Sequence, residues 1–202
     1  MTLEEAVGRP VSRETIERLK KYVALLIEES EGQNLISKST IPAIWTRHIL
    51  DSAQLVSLAP EHANWADLGS GAGLPGMVLA IITDAPMTLI EPRRLRVQFL
   101  ERVKSVLSLD KLTIAHCKAQ NAEGCFDVIT ARAVAPSAEL ITMSRHLAHP
   151  GTKYLLMKGR SAQSELEAVR AAWQGRFALV PSRTDADAAI MVAEQVRRRG
   201  RK

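Results

Sequence analysis

The ten residues "DLGSGAGLPG", 67 to 76, constrain the fold of this chain more than any other stretch. The short apolar run "WADL" leads into them, and "GMVLAIIT" follows from Gly76, with Pro75 just ahead of it. A brief apolar run bounded by glycine reads as a buried strand, and proline suits the first turn of a helix. Gly69, Gly71, Gly73 and Gly76 permit positive φ and close backbone approach to a ligand. Strand, glycine loop and helix together predict a βα unit that holds a ligand at a helix N-terminus.

The remaining pattern extends that unit. Apolar runs near 87–90, 112–116, 126–130 and 153–157 alternate with helical periodicity over 75–83, 92–108, 136–148 and 161–173. Such alternation implies an α/β fold, a mostly parallel sheet with helices on both faces. "RFALV" and "AAIMVAEQV" are expected to close the sheet as a strand pair. Upstream, Ser12 is placed to cap a helix carrying Ile16, Leu19, Tyr22, Val23, Leu26 and Ile27 at helical spacing. Pro42 is expected to open a second helix with Trp45, Ile49, Ala53 and Val56 on one face, ended by Pro60. The expected organisation is a helical cap over 1–62, an α/β domain over 63–196 and a basic tail over 197–202.

Composition narrows the setting. No apolar run approaches the roughly 18 residues of a membrane span, and "MTLEEAVGRP" lacks the regions of a signal peptide. Cys117 and Cys125 fit no metal spacing and read as reduced thiols. A cytoplasmic, metal-free monomer is expected. The net charge of +5 resides in Arg197, Arg198, Arg199, Arg201 and Lys202, since the rest of the chain balances 22 cations against 22 acids. Such a tail is either a handle for nucleic acid or a solubility device.

The glycine spacing admits two adenosine cofactors. From Gly71 it spells G-x-G-x-x-G, which suits NAD; from Asp67 it spells D-x-G-x-G-x-G, which suits S-adenosylmethionine. Glu91 follows Gly71 by twenty residues, where a carboxylate accepts the ribose hydroxyls of either. Asp67 favours S-adenosylmethionine, because a carboxylate beside the loop attracts an ammonium and repels a pyrophosphate. An NAD(P)-dependent oxidoreductase stands as the second reading, and an RNA-binding module that grips phosphates through its tail as a third.

"NLIS" at 34–37, "RHILDS" at 47–52, "DLGSGAGLPG", "FDVITARAVA" at 126–135 and "LMKG" at 156–159 occur in one order. Together they resemble the RsmG (GidB) family of bacterial 16S ribosomal RNA guanine-N7 methyltransferases, over most of the chain. The resemblance implies a Rossmann-like S-adenosylmethionine-dependent methyltransferase fold with a seven-stranded sheet. It implies S-adenosylmethionine as cofactor and 16S ribosomal RNA or the small ribosomal subunit as partner. Cofactor contacts are then expected at Asp67, Gly69, Gly71, Gly73, Leu74 and Glu91. Ala119 and Gln120 are expected beside the adenine, although the chain reads Lys118-Ala119-Gln120 where the family has R-x-E. Arg132 is expected to face cofactor and substrate, and Lys158 to hold RNA phosphate; these two are the catalytic candidates.

Two departures stand out: Leu95-Arg96 replaces the family's Lys-Arg, and the last strand carries Glu194 in an acidic segment. Within "RHILDS", Arg47 and His48 lie four and three residues before Asp51, so each can meet it on a helix. That segment reads as an interhelix network rather than a catalytic one. Ser70 is assigned to cofactor binding, and "ARAVAP" lacks the Asn/Asp-Pro-Pro-aromatic motif of adenine-N6 methyltransferases.

Overall fold

A computed structural model describes residues 1–199 of the chain. It opens with α1 (Leu3–Val7), capped by Thr2, whose Oγ1 accepts from the Glu5 amide at 3.2 Å while Glu5 Oε2 accepts from the Thr2 amide at 2.7 Å. Five residues are too short to show a period, so pattern reading passed over this helix. α2 (Arg13–Gly32) starts where expected, with Ser12 Oγ accepting from the Thr15 amide at 3.1 Å. It buries Leu19, Tyr22, Val23 and Leu26.

The second expected helix is present but irregularly wound. A 3-10 stretch over Lys38–Ala43 contains Pro42, which has no amide hydrogen to sustain an α-helix. A π-helical turn over Trp45–Leu50 leads into a single α turn, α3 (Asp51–Ala53), and a 3-10 turn over Val56–Leu58. Ile49 and Ala53 still face the core. The apolar stripe was legible in the sequence, but the winding of the backbone was not.

The glycine loop separates β1 (Trp65–Leu68) from α4 (Gly76–Thr83). Then follow β2 (Met87–Ile90), α5 (Arg94–Leu107), β3 (Leu112–Ala115) and β4 (Phe126–Arg132). The chain continues with α6 (Ser137–Ser144), β5 (Ala148–Lys158), α7 (Ala162–Ala172), β6 (Trp173–Pro181) and β7 (Ala189–Arg198). The strands form one sheet in the order β3-β2-β1-β4-β5-β7-β6. β1 to β5 are mutually parallel, and β7 lies antiparallel between β5 and β6. The dinucleotide-binding order 3-2-1-4-5-6 has no such inserted strand.

Alternation along each strand sorts side chains between two cores. Trp65, Val128, Leu155 and Met157 face one, packed against α4, α5 and the N-terminal helices. Ala66, Leu68, Ile129, Ala131, Tyr154 and Leu156 face the other, with Leu140, Ile141 and Leu166 of α6 and α7. Leu19, Tyr22 and Leu26 of α2 belong to the same cluster as Trp65 and Leu155. The change of sequence pattern near residue 62 therefore falls inside one core.

β7 extends further than the sequence suggested. Arg197 and Arg198 pair with Gln174 and Trp173 of β6, and the Arg198 guanidinium carbon lies 5.9 Å from the Trp173 ring centre. A planar cation can pack on an aromatic face, so charge does not end the strand. The basic tail beyond the sheet thus starts at Arg199, and its residues 200–202 lie outside the described residues. Among the described residues, no helix is long and apolar enough to cross a membrane. No group of three His, Cys, Asp or Glu among them is arranged to hold a metal.

Candidate active site

The sheet register brings the strand ends into line. Ile90, Leu68 and Ala131 occupy one row, with Leu68 paired to both neighbours. Glu91, Gly69 and Arg132 come immediately after that row. Ligands of open α/β sheets bind at such carboxyl ends. Here they edge a cavity of about 520 Å³ lined by Gly69, Gly71, Leu74, Glu91, Ala119, Gln120 and Arg132. Seven of the nine expected cofactor residues thus converge on one space.

The glycines do different jobs. Gly69, Gly71 and Gly73 all have positive φ, at 63°, 56° and 90°. The amides of Gly69 and Ser70 donate to Ile90 O at 2.8 and 3.2 Å, which anchors the loop to β2. The Gly71 amide donates to Glu91 Oε2 at 2.8 Å, and Glu91 Oε1 accepts from the Arg93 amide at 2.9 Å. Arg96 Nη1 lies 3.9 Å from the same carboxylate and lines the cavity. Glu91 is therefore fixed in place by two backbone amides with the Arg96 cation nearby, and lone pairs are left for hydroxyl donors. Of the Leu95-Arg96 departure, only Leu95 differs from the family pair, and it is largely exposed.

Asp67 and Gly73 do not line that cavity. Asp67 is fully buried; its Oδ2 accepts from the Gly76 amide at 3.2 Å and its Oδ1 from Thr130 Oγ1 at 2.9 Å. Burial raises its pKa to about 6, against the pull of Thr130, Ser70 and Gly76. Strand parity explains the placement: Asp67 shares its face with Trp65, toward α4. It ties β1 to the start of α4 rather than offering a carboxylate to a ligand. Gly73 is a packing glycine, since a Cβ there would sit 2.7 Å from Met77 Cβ. Ser70, unlike these two, lines the cavity, and its Oγ donates to Asp67 O at 2.9 Å.

Tyr22 is a contributor the sequence reading missed. Its hydroxyl donates to Ala72 O at 2.8 Å, across 50 residues. Helical spacing marked Tyr22 as core, and nothing in the pattern distinguished its hydroxyl. The cap thereby holds the glycine loop from behind.

A second cavity of about 580 Å³ adjoins the first, lined among others by Arg47, His48, Asp51, Lys158, Ser182 and Thr184. Arg132, Ala133 and Val134 line both. Ala133 has φ 53°, unusual for alanine, so the chain turns sharply between the two spaces. Arg132 points to the face of the N-terminal helices. Its Nη1 donates to His48 Nδ1 at 3.1 Å and lies 3.9 Å from Asp51 Oδ2.

A relay fixes that histidine. Thr40 Oγ1 donates to Ser37 O at 2.7 Å, so its oxygen accepts from His48 Nε2 at 2.9 Å, leaving Nδ1 as acceptor for Arg132. Burial, then Arg132 and Arg47, push the His48 pKa down to about 4, so the ring is neutral near pH 7. Ser37 of "NLIS" and His48 of "RHILDS" thus belong to one chain of hydrogen bonds that ends on Arg132. The expected Arg47–Asp51 pair does not form: Arg47 instead binds Asp185 Oδ2 at 2.9 Å.

Lys158 sits on the opposite face of the sheet from Arg132. Its Nζ donates to Ala135 O at 2.8 Å and pairs with Glu165 Oε2 at 2.8 Å, with the side chain only 6% exposed. That ammonium, which borders the second cavity, is engaged by the loop after β4 and by α7. Strand parity, invisible in a motif, set the difference. Glu194 is also internally committed, 3.1 Å from both Lys153 and Arg176.

Residues 15–185 match the family model GidB, described as rRNA small subunit methyltransferase G. The chain belongs to this family. Within the methyltransferase G family, the protein of Rhizorhabdus wittichii is 47% identical, covering 100% of this chain and 96% of its own length. That of Zymomonas mobilis is 42% identical, covering 96% and 91%. Both carry the name Ribosomal RNA small subunit methyltransferase G. Among solved structures, the glycopeptide N-methyltransferase MtfA in complex with S-adenosyl-L-homocysteine superposes with a TM-score of 0.57 at 12% identity, over 71% of this chain and 88% of that one. A ribosomal protein L11 methylase from Lactobacillus delbrueckii gives 0.58 at 13%, over 76% and 79%. The family member described here thus has the Rossmann-like methyltransferase fold, and the oxidoreductase reading finds no support.

Proposed function

We propose that this chain uses S-adenosylmethionine to methylate N7 of a guanine in 16S ribosomal RNA. The observation that carries the reading is Arg132, which lines both the glycine-loop cavity and the adjoining one. Gly69, Gly71 and Leu74 would border the cofactor, Glu91 would accept its ribose hydroxyls, and Ala119 and Gln120 would flank its adenine. The cavity fits such a group: a fixed carboxylate, glycine amides and an arginine suit hydroxyls, a nucleoside and a carboxylate. Asp67 acts behind the loop by holding α4, and Lys158 by holding the turn after β4.

When bound, the cofactor supplies an electrophilic methyl group. Guanine N7 carries a free lone pair, so no side chain has to remove a proton, and neither cavity needs an acid–base pair. The chain's task is alignment and stabilisation of shifting charge. Transfer of labelled methyl to 16S RNA or the small subunit, followed by mapping of the modified base, tests the proposal. A label on a base other than guanine overturns it.

Gly71→Val checks the cofactor side. Its φ of 56° strains any branched side chain, and the position lines the cavity. Cofactor affinity by calorimetry is expected to fall by about 10-fold or more. Unchanged affinity in the folded variant would remove the glycine loop from the binding site.

The tail is a remote handle in this reading. Ala189 pairs with Lys158 at the cleft end of β5, so Arg198 lies at the other end of β7, roughly 30 Å away at strand rise. Deleting residues 199–202 spares the strand and removes three cations. The salt dependence of RNA binding should flatten by about 2 to 3 units in the log–log slope. A slope unaffected by the deletion would leave the tail a solubility device.

A further inference from the structure

We propose that Asp51 reads the target guanine, its free carboxylate oxygen accepting from N1–H and the 2-amino group while Arg132 donates to O6. This rests on the guanine-N7 reading above and names the residues that select the base.

The two oxygens of Asp51 are unequal. Oδ1 is saturated: it accepts from Thr184 Oγ1 at 2.6 Å, Gln54 Nε2 at 2.9 Å and Ser182 Oγ at 3.4 Å. Oδ2 makes no hydrogen bond among the described residues, and its nearest cation is Arg132 Nη1 at 3.9 Å. The side chain is 17% exposed and lines the second cavity. Burial already raises its pKa, with Thr184 and Arg132 opposing, so a further donor relieves a poorly solvated charge. The π-helical turn just before it delivers His48 and Asp51 to the same arginine, and such turns recur at functional sites.

The pair forms a code. A carboxylate only accepts and a guanidinium only donates. Held side by side, they match an edge with two donors next to one acceptor. Guanine has that edge, in N2–H, N1–H and O6. Adenine presents an unprotonated N1 there and no 2-amino group, so its lone pair would face the carboxylate. A base bound by this edge is withdrawn from pairing, as enzymes acting on a base require. Its N7 lies beyond O6, clear of Asp51. Thr184 and Ser182, from the segment between β6 and β7, and Gln54 from the cap hold the reading oxygen's partner, so two distant parts of the chain set one carboxylate's orientation.

The test compares 16S RNA carrying guanine or inosine at the mapped position, inosine lacking only the 2-amino group. Wild-type kcat/KM is expected to favour guanine by roughly 10- to 100-fold, the scale of one hydrogen bond to a charged group. Asp51→Asn, nearly isosteric, should lose at least about 10-fold on guanine and bring the guanine-to-inosine ratio close to one, with cofactor affinity unchanged. A wild-type enzyme that methylates inosine as fast as guanine overturns the proposal whatever the variant does. So does a variant that keeps the wild-type ratio, which would reduce Asp51 to a tether for Ser182 and Thr184. Both results leave the guanine-N7 reading standing; only a methyl mapped elsewhere in wild type removes that.

Discussion

Arg132→Ala is expected to lower single-turnover methyl transfer by about 100-fold at saturating cofactor and RNA, the cost typical of losing one preorganised donor. The side chain lines both cavities, and it is held by His48 Nδ1 at 3.1 Å, with only one of its donor nitrogens so engaged. The remaining donors are directed by a neutral histidine whose tautomer is fixed by Thr40 and Ser37, so their placement costs no reorganisation during the reaction. Lysine should rescue poorly, because a point charge lacks the planar fork. The fold should persist, since water can reach His48 Nδ1 and Asp51 through the cavity. An alanine variant that turns over at the wild-type rate would make Arg132 a bystander.

Lys158→Met is expected to cost about 3 kcal/mol of stability, the scale for breaking a buried ion pair by removing one partner. The change leaves Glu165 with donors only from Ser137 and Ser161 and frees Ala135 O. Burial alone would raise the Glu165 pKa, but Lys158, Ser137 and Ser161 hold it down to about 2. A depressed carboxylate stabilises the fold fully above its unfolded pKa near 4.5 and loses that contribution as pH falls through about 2. The stability gap between wild type and variant should therefore narrow across that window. Urea midpoints at pH 7 and pH 3 measure both claims. Equal midpoints at pH 7 would mean that the pair contributes nothing.

The strands and most helices were legible because their residues alternate or recur within a single element, and burial of one face enforces that spacing. Five parallel strands and a closing pair were expected and found. The winding of residues 38–58 was not legible: Pro42 falls in a 3-10 stretch and a π turn follows it, while the apolar positions Ile49 and Ala53 still reach the core. The end of β7 was misjudged because Arg197 and Arg198 look like tail until Trp173 is placed beside them.

At the site, sequence alone determined the glycine loop, Glu91 twenty residues on, and the strand-end arginine. Each follows from local chain geometry: positive φ in the loop, a carboxylate one residue past β2 and a guanidinium on the last residue of β4. Tertiary structure alone decided which way the charged side chains turn. Asp67 and Lys158 are strand-end charges like Arg132, yet Asp67 points under α4 and Lys158 toward α7. A strand alternates faces with every residue, and only the packed sheet says which face opens on a cavity. The same packing joined Ser37, Thr40 and His48 by hydrogen bonds to an arginine some 80 to 95 residues later and set Asp51 3.9 Å from it, contacts that no spacing in the chain encodes.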